Sequence, residues 1–334
     1  MKNKNLFYLL LLLVLGGLAI WLSQNQKPTT LDQQETDFSI QDTGRIDKIF
    51  LADKNGNEVE LTREAPGRWI LNDNRLAAPP KVRMLLETIF HVEVKGPMPQ
   101  KARETVIKNM AANSVKAEFY EDGQLIKTLY VGGTTPDNLG TFMFLEGAQN
   151  PYITHIPGFN GYLTIRFSPN PREWRSKQLF RFNPVSIASV QLRFPRGGTP
   201  GYELHKRGED DFRLIQTGAG TETAADPIAA KRYLVHLAEM NVNSYVRSTV
   251  VDADSLRQQL PRAELRIELA SGDQHGLRIY PKKPDRRTKG TTEDGFDIDY
   301  YWAIKAENPA EVLVLSKKTL GRTLPHPDRL REGS

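Results

Sequence analysis

The sequence predicts an α+β protein in which an N-terminal transmembrane helix is followed by two tandem repeats of a mainly antiparallel sheet-plus-helices module. Three observations lead to this prediction. The chain opens with a long apolar segment, two later segments repeat one order of strands and helix, and both helices carry apolar residues at helical spacing. The predicted parts are an anchor (1–26), a polar linker (27–37), a first module (38–166), a connector (167–184), a second module (185–320) and a flexible tail (321–334).

The apolar segment from Leu6 to Leu22 has the length and flanking charges of a signal anchor. At about 1.5 Å per residue it spans roughly 25 Å, close to the thickness of the bilayer hydrocarbon. Lys2 and Lys4 precede it and Lys27 is the first charge after it, so the positive-inside rule keeps the N-terminus in the cytoplasm. Its end lacks an A-x-A-like site, so an uncleaved anchor is favoured over the alternative of a cleaved signal peptide. We expect a single-pass protein of the inner (cytoplasmic) membrane with a periplasmic, extracytoplasmic body.

The composition excludes several classes of chemistry. The sequence has no cysteine, so disulfides, thiolate zinc sites and cysteine nucleophiles are ruled out. Its 45 basic residues face 40 acidic ones, and two of the basic residues precede the anchor. A nearly neutral body does not indicate a nucleic-acid partner, because such proteins usually concentrate basic residues on one face.

The first module begins with a predicted hairpin. The strand RIDKIFL is followed by a turn with the Asn55-Gly56 hairpin signal and by the strand EVELTR. A short strand, RWIL, then leads to the segment PPKVRMLLETIF, whose prolines suit the first turn of a helix. The predicted buried face of this helix consists of Val82, Leu85, Leu86, Ile89 and Phe90.

The second module repeats this order. SIASVQL, GYELHKR and DFRLI correspond to the three strands, which makes Phe212 the counterpart of Trp69. The helix that follows places apolar residues on the same five positions, namely Ala230, Tyr233, Leu234, Leu237 and Ala238. The offset between the copies grows stepwise from 141 at Ile46 to 158 at Asn150. Each step falls between elements, where insertions are tolerated, so we interpret the two segments as a duplication.

Two acidic patterns could supply ligands for a cation, and the second could also act as paired carboxylates, but local strand geometry is the favoured interpretation of both. Asp53, Asn55, Asn57 and Glu64 have a calcium-loop spacing, but the glycine required at the sixth position is Glu58, so a hairpin is predicted. The segment TTEDGFDIDYYW contains Glu293, Asp294, Asp297 and Asp299. Its alternation predicts a strand with Phe296, Ile298, Tyr300 and Trp302 on one face and with Asp297 and Asp299 on a solvated face.

A basic loop, YPKKPDRRTKG, is the clearest difference between the modules, since the first copy has only GGTTPDNLG there. It is either a solvated loop or a contact for an acidic partner or lipid head groups. The candidate partner-contact residues are Lys282, Lys283, Arg286, Arg287 and Lys289. No catalytic, cofactor-binding or metal-binding residue is assigned, because no motif for such chemistry is found in the sequence.

The anchor, the segments ELTREAPGRWIL and VRMLLETIF, and the mid-chain EWRSKQLF resemble an uncharacterised bacterial family, the domain of unknown function numbered 4340. The resemblance covers most of residues 1–320. Members are often encoded beside ABC-type transport components similar to those of gliding-motility systems. The resemblance therefore implies a non-enzymatic extracytoplasmic accessory, scaffold or binding subunit of such a transporter, and it implies no cofactor. The alternative is an envelope polysaccharide-binding protein or hydrolase.

Overall fold

The computed structural model describes residues 33–72, 74–218 and 220–331. The predicted anchor lies outside these residues, and none of the helices in the described ranges is long and apolar enough to cross a membrane. The chain divides after Ser176 into two compact units. Each unit contains one nine-stranded antiparallel sheet, so the fold class is α+β with two tandem sheet-containing modules.

The sheet of the first unit has the strand order β4-β3-β2-β1-β6-β7-β8-β9-β5. Its strands are β1 (Ile46–Ala52), β2 (Glu58–Ala65), β3 (Arg68–Leu71), β4 (Arg75–Leu76), β5 (Glu93–Pro97), β6 (Val115–Glu121), β7 (Gln124–Thr134), β8 (Thr141–Leu145) and β9 (Tyr152–His155). The predicted hairpin between β1 and β2 is present. Asp53 Oδ1 accepts hydrogen bonds from the N–H groups of Asn55 and Asn57, and Gly56 has the positive φ of 78° that the turn requires.

The first unit contains helices α1 (Gln33–Thr36), α2 (Pro79–His91), α3 (Arg103–Asn113) and α4 (Pro171–Trp174), with 3₁₀ turns at Gln100–Ala102 and Thr164–Phe167. Helix α2 buries Val82, Leu85 and Ile89 in the core and keeps Leu86 partly buried. The prediction that Phe90 is buried is wrong, because Phe90 is 39% exposed and its ring packs edge-on against His91.

The second unit repeats the first strand for strand. Its sheet has the order β13-β12-β11-β10-β15-β16-β17-β18-β14, which is the first order with nine added to each number. The strands are β10 (Ile187–Arg193), β11 (Tyr202–Lys206), β12 (Phe212–Gln216), β13 (Glu222–Ala224), β14 (Ser244–Tyr245), β15 (Ala263–Leu269), β16 (Gln274–Pro281), β17 (Tyr300–Lys305) and β18 (Asn308–Ser316). The helices are α5 (Pro227–Ala238), α6 (Ala253–Arg257) and α7 (Lys317–Thr323), with 3₁₀ turns at Pro184–Ser186 and Pro327–Leu330.

The copies share irregularities as well as order. The pairing of β1 with β6 is interrupted between Ile46 and Lys48, and the pairing of β10 with β15 is interrupted at the corresponding place, between Ile187 and Ser189. All five apolar residues predicted on the face of α5 are buried. Shared irregularities of register are stronger evidence for one repeated module than shared strand order, because a bulge is a specific feature of one strand pair.

Trp69 and Phe212 occupy the same place in the two copies, as predicted. Each is buried near the start of the third strand, with 3% and 2% exposure. The carbonyl of Trp69 accepts a hydrogen bond from Ala77 N–H, and that of Phe212 accepts one from Ala225 N–H. Each aromatic side chain therefore lies in the core where the chain turns towards the main helix of its module.

Part of the predicted connector and most of the predicted flexible tail are closing elements of the two copies, while residues 177–184 of the connector belong to the second unit. The carbonyl of Trp174 in α4 accepts a hydrogen bond from Ala78 N–H at 2.6 Å, and the carbonyl of Leu330 accepts one from Asp226 N–H at 2.9 Å. Both Trp174 and Leu330 are buried. The tail prediction is thus wrong for residues 321–331, because that segment fills the second core as PREWR fills the first.

The start of the first unit also differs from the prediction. The sequence assigns residues 33–37 to the polar linker, but α1 joins the fold through Glu35. Its carboxylate accepts hydrogen bonds from Gln149 N–H at 2.9 Å and from the Tyr152 hydroxyl at 3.1 Å. The described fold therefore includes at least the last five residues assigned to the linker, since Asp37 also forms an ion pair with Lys127.

Candidate partner-contact loop

The basic loop connects β16 to β17 and comprises residues 282–299, whereas the equivalent connection between β7 and β8 comprises only residues 135–140. The alternation predicted for its second half is wrong. Strand β17 begins at Tyr300, Asp297 is 1% exposed, and Ile298 is 36% exposed. The carboxylate is buried and the aliphatic side chain is not, because Asp297 is the centre of a hydrogen-bond network.

Asp297 uses both of its carboxylate oxygens. Oδ2 accepts hydrogen bonds from Lys282 Nζ at 2.9 Å and from the Thr288 hydroxyl at 2.8 Å. Oδ1 accepts from the backbone N–H groups of Asp299 at 2.9 Å and Tyr300 at 3.2 Å. A buried carboxylate is tolerated only when it is paired and hydrogen-bonded, and Asp297 meets both conditions.

Lys282 is not a surface contact, which corrects its assignment as a partner-contact residue. It is 7% exposed, and its Nζ also bonds Asp285 Oδ2 at 2.9 Å. Asp285 in turn fixes the next turn by accepting a hydrogen bond from Arg287 N–H at 2.8 Å. We call Lys282, Asp285, Thr288 and Asp297 the loop lock, because together they tie both halves of the loop to the end of β16.

The pKa values of the loop lock indicate that its charges are complementary. Burial alone would raise the pKa of Asp297, but the hydrogen bonds from Lys282, Asp299 N–H and Thr288 outweigh it and lower that pKa. Burial would likewise lower the pKa of Lys282, whereas its two aspartate partners raise it. The hydrogen bond from Lys282 also lowers the pKa of Asp285. All three groups are therefore charged at neutral pH.

The other four candidate residues are exposed. Lys283, Arg286, Arg287 and Lys289 project from the locked loop, and within the described part of the chain none of their side chains has an ion-pair or hydrogen-bond partner. We call these four residues the basic cluster. Of the five predicted residues, one is therefore buried and holds the loop in place, and the other four are exposed on the loop.

The loop lock was missed in the sequence because its members are separated by up to 15 positions. One signal was available. Lys282 directly follows Tyr280 and Pro281, which end a strand in an apolar setting, and a lysine at such a position needs a buried carboxylate. Across the described ranges there is no group of three or more histidine, aspartate or glutamate residues that could hold a metal ion.

Residues 101–261 match the family described as "Domain of unknown function (DUF4340)". The chain contains a DUF4340 domain. The match begins before α3 in the first unit and ends between α6 and β15 in the second, so the DUF4340 match includes parts of both copies. It is narrower than the resemblance over most of residues 1–320, and of the segments that suggested it, only EWRSKQLF lies within the match. Comparisons with curated proteins and with solved structures found no match.

Proposed function

We propose that this DUF4340 protein is a non-enzymatic, membrane-anchored accessory subunit whose basic cluster binds an acidic surface of a membrane-protein partner. The observation that carries the proposal is the combination of a buried lock with four unpartnered cations on one loop. The first copy of the module has no such loop. A feature that distinguishes the copies and is not needed for the fold is a good candidate for a specialised contact.

The loop lock favours binding because it fixes the loop before a partner arrives. Ordering a flexible loop on association costs free energy for each side chain and backbone segment that is immobilised. Because folding already orders the locked loop, less conformational free energy is lost when a partner binds. Four like charges on one preorganised loop also accelerate encounter with an acidic surface, and the effect falls as ionic strength rises.

The proposed partner is a component of an ABC-type transport system. This part of the proposal rests on the DUF4340 resemblance and on the apolar segment from Leu6 to Leu22. A subunit anchored by that segment would hold its two modules on the extracytoplasmic side, next to the parts of a transporter exposed there. The partner's surface near the basic cluster should be rich in aspartate and glutamate.

The anchor can be tested by reporter fusions. A reporter that is active only in the periplasm, fused after Ser334, should be active, because the lysines before Leu6 hold the N-terminus in the cytoplasm. A reporter that is active only in the cytoplasm, fused at the same site, should be inactive. The opposite pattern of activities would contradict the proposed topology.

The partner contact can be tested by charge reversal of the basic cluster. The full-length variant with Lys283, Arg286, Arg287 and Lys289 replaced by glutamate should lose at least about tenfold in recovery of transporter components after cross-linking in native membranes. Recovery with the unchanged protein should fall as salt is increased. Mass spectrometry of the cross-linked material would measure both effects.

A matched control changes the net charge equally in the first unit. It replaces four exposed cations that have no ion-pair partner in the described structure, namely Arg75, Arg83, Lys101 and Arg103, by glutamate. This control should retain the partner. Equal recovery with both variants would mean that the basic cluster is not the contact, and recovery of no transporter component with the unchanged protein would exclude the proposed partner.

A further inference from the structure

A second group of cations surrounds a cavity of about 280 Å³ on the outer face of the second sheet. The cavity lies over β10, β15, β16 and β17, beside helix α6. Its charged lining consists of Arg193, Arg257, Arg266, Arg278, Lys305 and one carboxylate, Glu264. None of these residues belongs to the basic cluster or to the loop lock, so the cavity is a separate feature of the second unit.

The floor of the cavity depends on Gly276. This residue lies opposite Arg266 on the neighbouring strand, and a Cβ atom added to it would lie 2.9 Å from the Cβ of Ala306. Such a contact is too short for real side chains, so the strand has no room for one here. The absence of a side chain leaves an open hollow between the arginines.

Two of the arginines are not neutralised. Arg278 is paired with Glu264 at 3.1 Å, Arg257 is paired with Asp254, and Lys305 lies 3.5 Å from Glu307. Arg193 and Arg266 have no carboxylate within ion-pair distance in the described structure. Glu203, which accepts a hydrogen bond from the lining residue Gln191, acts on Arg193 from a longer distance. The lining itself still carries more positive than negative charge, and a ligand could balance that excess.

A buried hydroxyl also lies close to the charged side chains of the cavity, although Tyr280 is not one of the lining residues. Tyr280 is fully buried, and its hydroxyl has no partner with good hydrogen-bond geometry, although the Arg278 side chain lies close enough to act on its pKa as a hydrogen-bond donor. Burial raises the pKa of Tyr280, and the charged groups that act on the hydroxyl are Arg278, Glu264 and Arg257, all of which line the cavity. The hydroxyl thus faces the same side chains that a ligand in the cavity would meet.

The fold does not require these charges, because the first copy lacks them. The positions of Arg193, Arg266 and Arg278 are occupied there by Ala52, Glu118 and Tyr130, as the strand registers establish. The equivalent cavity of the first unit, about 380 Å³, is lined mainly by apolar side chains, namely Ile107, Met110, Ala111, Tyr130, Phe144 and Pro151. The module thus folds with or without the arginines.

We propose that the cavity of the second unit is a binding site for a phosphate ester. Arginine guanidinium groups match the oxygens of phosphate in a bidentate arrangement. A phosphate monoester carries about −1.5 to −2 charges at pH 7, which corresponds to the two unpaired arginines, whereas a carboxylate would balance only one. The cavity also has room for a small organic group attached to the phosphate.

The phosphate ester binds with its phosphate between Arg193 and Arg266, above Gly276. The organic group lies towards Ile304 and Pro309. The ester is either a soluble metabolite or the head group of phosphatidic acid, since both present a phosphate monoester. The site goes beyond the proposed partner contact and does not depend on it.

Titration calorimetry on the full-length protein in a phosphate-free non-ionic detergent would test the site. The probes are inorganic phosphate, glycerol 3-phosphate and a short-chain phosphatidic acid mixed into the micelles. We expect saturable binding of glycerol 3-phosphate if the ester is soluble, or of phosphatidic acid alone if it is a lipid head group. Inorganic phosphate should bind more weakly than the preferred ester.

Substitutions distinguish a specific binding site from non-specific electrostatic attraction of the probes. Replacing Arg193 and Arg266 by alanine should weaken binding at least about tenfold, because it removes both unpaired guanidinium groups. The control replaces Arg232 and Arg247, two exposed arginines of the same unit without ion-pair partners in the described structure, and should bind like the unchanged protein. The proposal is wrong if none of the probes binds saturably, or if the Arg193/Arg266 variant binds as tightly as the control.

Discussion

Replacing Trp69 by alanine is expected to destabilise the first unit by about 3–5 kcal/mol, because it removes a large buried side chain and leaves a cavity. The guanidinium of Arg63, which lies 4.7 Å from the centroid of the Trp69 ring, loses its cation–π partner as well. Hydrogen exchange measured on the full-length protein should show roughly 10²- to 10⁴-fold less protection for the slowest amides of the first unit.

The duplication supplies the control for this experiment. Phe212→Ala makes the equivalent change in the second unit and should reduce protection there instead. Each unit has its own core, with Trp69 in one and Phe212 in the other. If either substitution lowered protection equally in both units, the assignment of one core to each copy would be incorrect.

The repeated architecture could be predicted because its signals are local and occur twice. Strand alternation, the Asn55-Gly56 turn and the helical spacing of Val82, Leu85 and Ile89 each extend over a few residues. The position of Phe90 could not be read from the same spacing. A five-residue apolar stripe is wider than the contact that α2 makes, and only the packing of the helix decides which edge faces solvent.

The closing elements could not be predicted because they lie at the ends of the two copies, outside the strand-rich parts whose sequence patterns correspond. PREWR and PDRLR share proline and arginine at matching positions, but Trp174 is replaced by Leu330. The recurrence is short, and a C-terminal segment with several charges resembles a tail in composition. The structure identifies it through backbone hydrogen bonds from Ala78 and Asp226, which have no signature in sequence.

The loop and the cavity also show why the surroundings of charged residues could not be predicted from the sequence. The sequence pattern placed Asp297 on a solvated face, since alternation predicts burial of the apolar residues around it. Pairing with Lys282 reverses that assignment, and pairing is a long-range property. Arg193 and Arg266 were not singled out because they lie on different strands, which only the register of β10 with β15 brings together.

Replacing Lys282 by methionine is expected to destabilise the basic loop by about 3–5 kcal/mol, because the charge of Asp297 would be left buried and unpaired. The loop should lose its fixed conformation while the sheet remains intact. Hydrogen exchange of the full-length protein should therefore show faster exchange at Asp299 and Tyr300, whose N–H groups bond Asp297, but not in the central strands β10 and β15. If the proposed partner contact is correct, partner recovery should fall too, although all four residues of the basic cluster are retained.

Two comparisons make this prediction specific to the buried ion pair. Combining Lys282→Met with Asp297→Asn removes both charges and keeps an oxygen for the two N–H groups, so it should recover most of the lost protection. In the unchanged protein the lowered carboxyl pKa values contribute stability above about pH 4 that is lost as the pH falls through the folded values. The raised pKa of Lys282 contributes stability below about pH 10 that is lost as the pH rises through its folded value. Equal exchange rates in the single and double variants would show that the unpaired charge is not the cause, and that Lys282 supports the loop through packing alone.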